Sequence, residues 1–143
     1  MPRTWAVGNS NWGANTERYN AVIDKVKAFD NIIFSVKNTR TDFWRYNLFN
    51  PVIGTGDKEQ AMEFLCQDGY NFKNSIPYYD VIRMAKGPKE LGGQGGMKYG
   101  FEAGVRTAWG WLSADGWCGP YIKREEWLGA NIYGFSRLTW DVD

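Results

Sequence analysis

Residues 16–30, TERYNAVIDKVKAFD, set Tyr19, Val22, Ile23, Val26 and Phe29 on one face at helical spacing. Thr16 is placed to cap that helix, and Glu17 sits where the positive end of its dipole favours an acid. The pattern then changes. NIIFSV (31–36) is a continuous apolar run rich in β-branched residues, which predicts a buried strand. Residues 37–59 carry the breakers Pro51, Gly54 and Gly56 and separate it from a second apolar run, QAMEFLCQ (60–67), with Glu63 in its middle. SIPYYDVIRMA (75–85) returns to helical spacing, with Pro77 suited to a first turn. GPKELGGQGGMKYG (87–100) reads as a glycine-rich break and is not a phosphate loop, since no Gly-Lys-Ser/Thr follows. GVRTAWGWL (104–112) predicts a third strand, SADGWCGPYI a loop, and residues 123–141 a final helix with Leu128, Ile132, Phe135 and Leu138 at helical spacing.

Short buried strands alternating with amphipathic helices predict an α/β fold with parallel pairing. In such folds the polar work is done beyond the carboxyl ends of the strands. The segments Lys37–Arg45 and Ser113–Tyr121 should therefore share one rim. No low-complexity linker or repeat divides the chain, so residues 1–143 read as a single domain.

Composition narrows the chemistry. Net charge is +1, which gives no electrostatic hold on nucleic acid. The chain has no histidine, which excludes Ser-His-Asp and Cys-His catalysis by its own residues and removes the commonest metal ligand. Cys66 and Cys118 have no zinc spacing and read as buried thiols, with a disulfide as the alternative. No metal or other cofactor is expected. The start, MPRTWAVGNSNWGAN, has no apolar signal-peptide region, and no run approaches the ~18 apolar residues of a membrane span. Aromatics stand out, with 8 Trp, 8 Tyr and 8 Phe. Flat rings with polar handles suit the apolar faces and polar rims of sugars; a Trp-rich core is the alternative.

Asp42, after the first strand, and Glu63, in or at the end of the second, can face one another across a cleft. Two carboxylates flanking a bond are the kit of glycoside hydrolysis. Lys37, Arg40 and Arg45 lie near Asp42, where cations hold a carboxyl ionised or bind an anionic substrate. Trp44, Trp109, Trp111 and Trp117 can serve as stacking platforms. Each residue also has a plainer role: Asp42 capping a turn or pairing with Arg45, Glu63 shown to solvent on an edge strand, Lys37 solvated at a strand end. Alternation sets Glu63 opposite Met62 and Phe64, and a charged side chain is rarely buried without a partner.

These stretches resemble the C-terminal part of the catalytic barrel of glycoside hydrolase family 67, the α-glucuronidases. IIFSVKNTRTDFWRYNLFNPVIG is similar to that family's strand ending in Lys-Asn, followed by Asp-Phe, an Arg, a Pro and an apolar-Gly close. MEFLCQDGY resembles its next strand, SIPYYDVIRM the short helix after it, and GWCGPYIKREEWLGANIYGFSRLTWD the Trp-bearing loop and final helix. The likeness runs in order from about residue 17 to 141, and ANIYGFSRLTW is its most specific motif. It implies inverting removal of 4-O-methyl-glucuronic acid side groups from xylan oligosaccharides. It also implies roles by match: Asp42 and Glu63 activate water, Lys37 holds the uronate carboxylate, and Trp117 lines the sugar pocket. The expected partner is a glucuronic-acid-bearing xylo-oligosaccharide, with neither nucleic acid nor membrane.

The family's general acid, a glutamate, lies upstream of the matched region. Histidines usual in its later loops are absent, and Pro120 stands where one usually follows the Trp loop. The expectation is therefore a partial (β/α)8 TIM barrel: its C-terminal half, with parallel strands and flanking helices, from a longer enzyme or an open reading frame truncated at its start. The missing half, or a partner chain, would then be needed for activity. Alternatives from other classes are a non-catalytic carbohydrate-binding module, against which the α/β alternation argues, and an inactive fragment.

Overall fold

The computed structural model describes residues 3–4, 12–27, 31–40, 48–65, 81–87, 89, 92–93, 96–111 and 125–143. Its elements are β1 (Arg3–Thr4), a 3-10 turn (Trp12–Ala14), α1 (Thr16–Ile23), β2 (Phe34–Lys37), β3 (Gln60–Leu65), α2 (Val81–Lys86), α3 (Met97–Glu102), β4 (Thr107–Trp111) and α4 (Glu125–Trp140). All strands are parallel and stand in chain order, β1-β2-β3-β4, so the fold is α/β with a parallel sheet.

The continuous apolar runs become strands because both faces are covered. On one face Phe34, Val36, Met62 and Phe64 join Tyr19 and Ile23 of α1, Met84 and Ala85 of α2, Met97 of α3 and Leu138 of α4 in a single core. Phe64 meets Phe135 of α4 with ring centroids 5.5 Å apart. Each such side chain contributes about 1.5–3 kcal/mol by leaving water. A doubly wound sheet reverses its strand order and carries helices on both faces. Here the order of the described strands does not reverse, and residues of the described helices pack on the same face.

The two ends of this sheet are held differently. At the start of β3, buried Gln60 is a hub. Its Oε1 accepts from the Gly54 N–H at 2.8 Å, and its Nε2 donates to Val52 O at 3.0 Å, Thr55 O at 3.1 Å and the Tyr19 hydroxyl at 3.2 Å. One amide thus ties α1 and the 52–55 turn to the sheet. Tyr19 is buried beneath it, and desolvation, partly offset by the Gln60 bond, raises its hydroxyl above the usual tyrosine range.

Several elements differ from the sequence reading. The first helix stops at Ile23 and does not run on to residue 30; Lys25 and Val26 bond back to Val22 and Ile23, tightening the last turn. Its cap is Asn15, whose side chain accepts from the Arg18 N–H at 2.9 Å, while the Thr16 hydroxyl reaches Pro51 O. Val22, expected on the apolar face, is exposed. The strand expected over 31–36 is shifted to Phe34–Lys37, which brings Lys37 into the sheet. Helix α2 is described only from Val81, and residues 75–80, Pro77 included, lie outside the described residues.

The glycine-rich segment is more than a break, because its end forms α3. Its glycines permit close backbone approach: a Cβ on Gly87 would lie 2.2 Å from the Gly93 carbonyl, and one on Gly100 would lie 2.5 Å from Met62 Sδ. Gly100 thereby lets α3 sit directly on β3. Exposed Lys98 of α3 also pairs with Asp143, which raises the lysine and lowers the carboxyl from their ordinary ranges.

Candidate functional site

The parallel register builds the site row by row. Lys37 stands opposite Glu63, and Glu63 opposite Trp109, across β2, β3 and β4. One row earlier lie Ser35, Ala61 and Thr107. Paired residues point to the same side of a sheet, so these six positions share the face turned away from the helices.

On β2 and β3 this face is buried and mostly polar, while Thr107 and Trp109 of β4 are half-buried. Glu63 and Ser35 are 0% exposed and Lys37 5%. Glu63 lies on a strand paired on both sides, so the edge-strand reading is corrected: β4 covers the flank that an edge would leave open. The solvated reading of Lys37 fails for the same reason, because the residue is enclosed within the strand row. Adjacent strands run about 4.8 Å apart, which brings an ammonium and a carboxyl side chain into one row. Each lowers the cost of enclosing the other.

Hydrogen bonds cross all three strands at this level. The Trp109 indole N–H donates to Ser35 Oγ at 3.0 Å, and the Ser35 hydroxyl donates to Glu63 Oε2 at 3.3 Å. Trp109 was a candidate stacking platform; in the structure its polar edge is engaged within the sheet.

Beyond Lys37 the chain forms a neck. The Asn38 N–H donates to the Glu63 carbonyl at 2.9 Å, and the Asn50 N–H donates to the Asn38 carbonyl at 2.9 Å. Thr39 bridges Phe49 antiparallel, and the Arg40 N–H donates to Leu48 O at 3.0 Å. Asn50, fully buried, donates through Nδ2 to Gly13 O at 2.9 Å and accepts from the Val52 N–H. The neck holds residues 38–40 against 48–50 beside β3. Asn38 Oδ1 and Arg40 Nε are buried there with no hydrogen-bond partner.

Of the residues singled out from sequence, the structure brings Lys37 and Glu63 together in one row. Asp42, Trp44, Arg45 and Trp117 lie outside the described residues, as do Cys66 and Cys118. Ser35 and Asn38 were missed. Ser35 had one signal, its place two residues before Lys37 in an apolar run, which sets both on one strand face. Among the described residues no group of histidine, cysteine and acidic side chains is placed to hold a metal, and no helix is long and apolar enough to cross a membrane. A cavity of about 350 Å³, lined by residues 54–60 and 103–106, opens at the amino ends of β3 and β4, at the opposite end of the sheet from Lys37 and Glu63.

Comparison with family models, with curated proteins and with solved structures gave no match to this chain.

Proposed function

We propose that the chain is a carbohydrate-active hydrolase of the α-glucuronidase type, built as part of a (β/α)8 barrel and acting on glucuronic-acid-bearing xylo-oligosaccharides. The observation that carries the proposal is the row Lys37–Glu63–Trp109 on three parallel strands, with Lys37 and Glu63 buried and Trp109 half-buried. The sequential order of the described strands, with the described helices packed on one face, supports the barrel reading, since in a barrel that order leaves the other face inside.

In this reading Lys37 neutralises the uronate carboxylate. Glu63, with Asp42, takes a proton from water as the water oxygen bonds to the anomeric carbon and the glycosidic bond breaks, with inversion. Trp117 lines the sugar site. The departing oxygen takes its proton from a carboxylic acid that none of the matched motifs contains, so turnover depends on a polypeptide that supplies one. Binding needs no such acid, which separates the two properties experimentally.

Calorimetric titration tests binding on the chain itself. A 4-O-methyl-glucuronoyl xylo-oligosaccharide should bind at least about tenfold more tightly than its neutral counterpart, and Lys37→Met should remove that difference. In a chain completed with the missing acid, Glu63→Gln should lower glucuronic acid release by about 10²–10⁴-fold while affinity holds. Equal affinity for acidic and neutral oligosaccharides, or undiminished release by Glu63→Gln, would overturn the proposal.

A further inference from the structure

We infer that the cavity at the amino ends of β3 and β4 is a second binding site, separate from the Lys37–Glu63 row, for a small hydroxylated anion: a single sugar ring carrying a carboxylate or a phosphate. The inference does not depend on the hydrolytic reading above, because the cavity lies at the other end of the sheet.

At about 350 Å³ the cavity falls at the lower end of the range for small-molecule sites, with room for one ring and not for a chain. Two turns wall it. Residues 54–59 lead into β3, and residues 103–106 lead from α3 into β4. Contact fixes their spacing: a Cβ on Gly54 would stand 2.6 Å from the Ala103 Cβ. Gly54 and Gly56 have φ of 74° and 78°, a conformation that glycine adopts without steric cost. The shape of the cavity is therefore set by backbone.

The first turn leaves donors unused. The Gly54 N–H goes to Gln60 Oε1 and the Thr55 N–H to Val52 O. The next four N–H groups, from Gly56 to Glu59, make no hydrogen bond among the described residues. Successive unbonded N–H groups in a turn form a concavity that takes an anion. Half-buried Lys58 and, from the facing turn, Arg106 add two cations that no ion pair neutralises among the described residues. The carboxyl end of α3 borders the cavity, but its Tyr99, Gly100 and Phe101 carbonyls are taken by the Ala103, Val105 and Gly104 N–H groups. That capping blunts the negative end of the helix.

Asp57 and Glu59 line the same cavity and decide which kind of anion fits. Both are exposed, whereas Lys58 is half-buried. An ionised carboxylate only accepts hydrogen bonds. It repels a bare oxyanion, but a ring hydroxyl can donate to it. The lining holds no aromatic ring to stack on, so recognition rests on charge and hydroxyl groups.

Titrating the chain with glucuronate, glucose 6-phosphate, glucose and inorganic phosphate tests the site, followed by calorimetry and by nitrogen-15 NMR of the Gly56–Glu59 amides. The two sugar anions share the required chemistry, and their separate titrations show which oxyanion is taken. At least one should shift these amides and bind about tenfold or more tightly than glucose, which lacks the charge, and than inorganic phosphate, which lacks the ring hydroxyls. Lys58→Gln and Arg106→Gln should each weaken this binding about tenfold. Lys37→Met should leave the amide shifts unchanged, which separates this site from the one proposed above. Amides that respond to neither sugar anion, inorganic phosphate that binds as tightly, or affinity that survives Lys58→Gln and Arg106→Gln together would overturn the inference. Amide shifts lost in Lys37→Met and kept in the other two variants would overturn it as well, by assigning the anion to the strand row.

Discussion

Strand β3 begins on Gln60 and carries Glu63 three residues further on, on the opposite face, and the two buried polar residues are handled in opposite ways. Gln60 faces the helices, is neutral, and has an acceptor or donor for each of its amide atoms. Glu63 faces the other side, where a carboxyl group, a buried lysine and a serine hydroxyl share a confined space. A saturated neutral hub holds loops to a sheet. An ionisable group enclosed beside its opposite is a costly way to hold anything, and apolar residues do it better. The contrast sets a neutral, fully bonded hub at the amino end of this sheet against an ionisable row toward its carboxyl end, where the chemistry proposed above would act.

Four experiments sharpen or break that contrast. The largest effect is expected from replacing Lys37 and Glu63 together by Met and Leu. All preference for acidic oligosaccharides should vanish, while urea denaturation should give a stability within about 1 kcal/mol of wild type or above it. A loss of several kcal/mol would show that the charged row is structural after all.

Gln60→Leu should do the reverse. It leaves the Gly54 N–H and the Val52 and Thr55 carbonyls without their side-chain partner, and should cost about 3 kcal/mol in the same denaturation experiment, with oligosaccharide binding intact in whatever fraction stays folded. Gly100→Ala comes next. A methyl group would press on Met62 beneath α3, costing about 1–3 kcal/mol unless the thioether moves aside; an unchanged midpoint would show that it does.

The smallest effect concerns Tyr19. Its hydroxyl titrates above the ordinary tyrosine value of about 10 because burial disfavours the anion. Above pH ~10 the unfolded chain loses this proton before the folded one does, so stability falls as pH rises through that window. Tyr19→Phe should be close to wild type at neutral pH and lose this component of the alkaline decline, read as a flatter dependence of the urea midpoint between pH ~9 and ~11. Parallel curves for the two proteins would remove Tyr19 from the account.

What was legible in the sequence follows from range of interaction. Runs such as NIIFSV and QAMEFLCQ announce strands because burial on both faces leaves few polar positions, and α4 is visible because its period holds over many residues. Helix α3 was hidden: glycines needed for contact with β3 and for close backbone crossing look, in one dimension, like a loop. Strand β1 has only two residues, too few for a pattern. At the site, alternation correctly set Glu63 apart from Met62 and Phe64, yet nothing local says that Lys37 stands beside it or that Trp109 reaches Ser35. Those facts depend on strand register, which is fixed by packing between distant segments.

Strand order has one more consequence, for how the chain reaches its native state. Each of β2, β3 and β4 pairs with the described strand before it in the chain, and among the described strands no later one is inserted between two earlier ones. Each closure among these strands therefore spans a single crossover and no more, so none carries the closure entropy of a longer, nested loop. A nascent polypeptide leaving the ribosome can add these strands one at a time, so Glu63 can meet Lys37 and Ser35 before Trp109 has emerged.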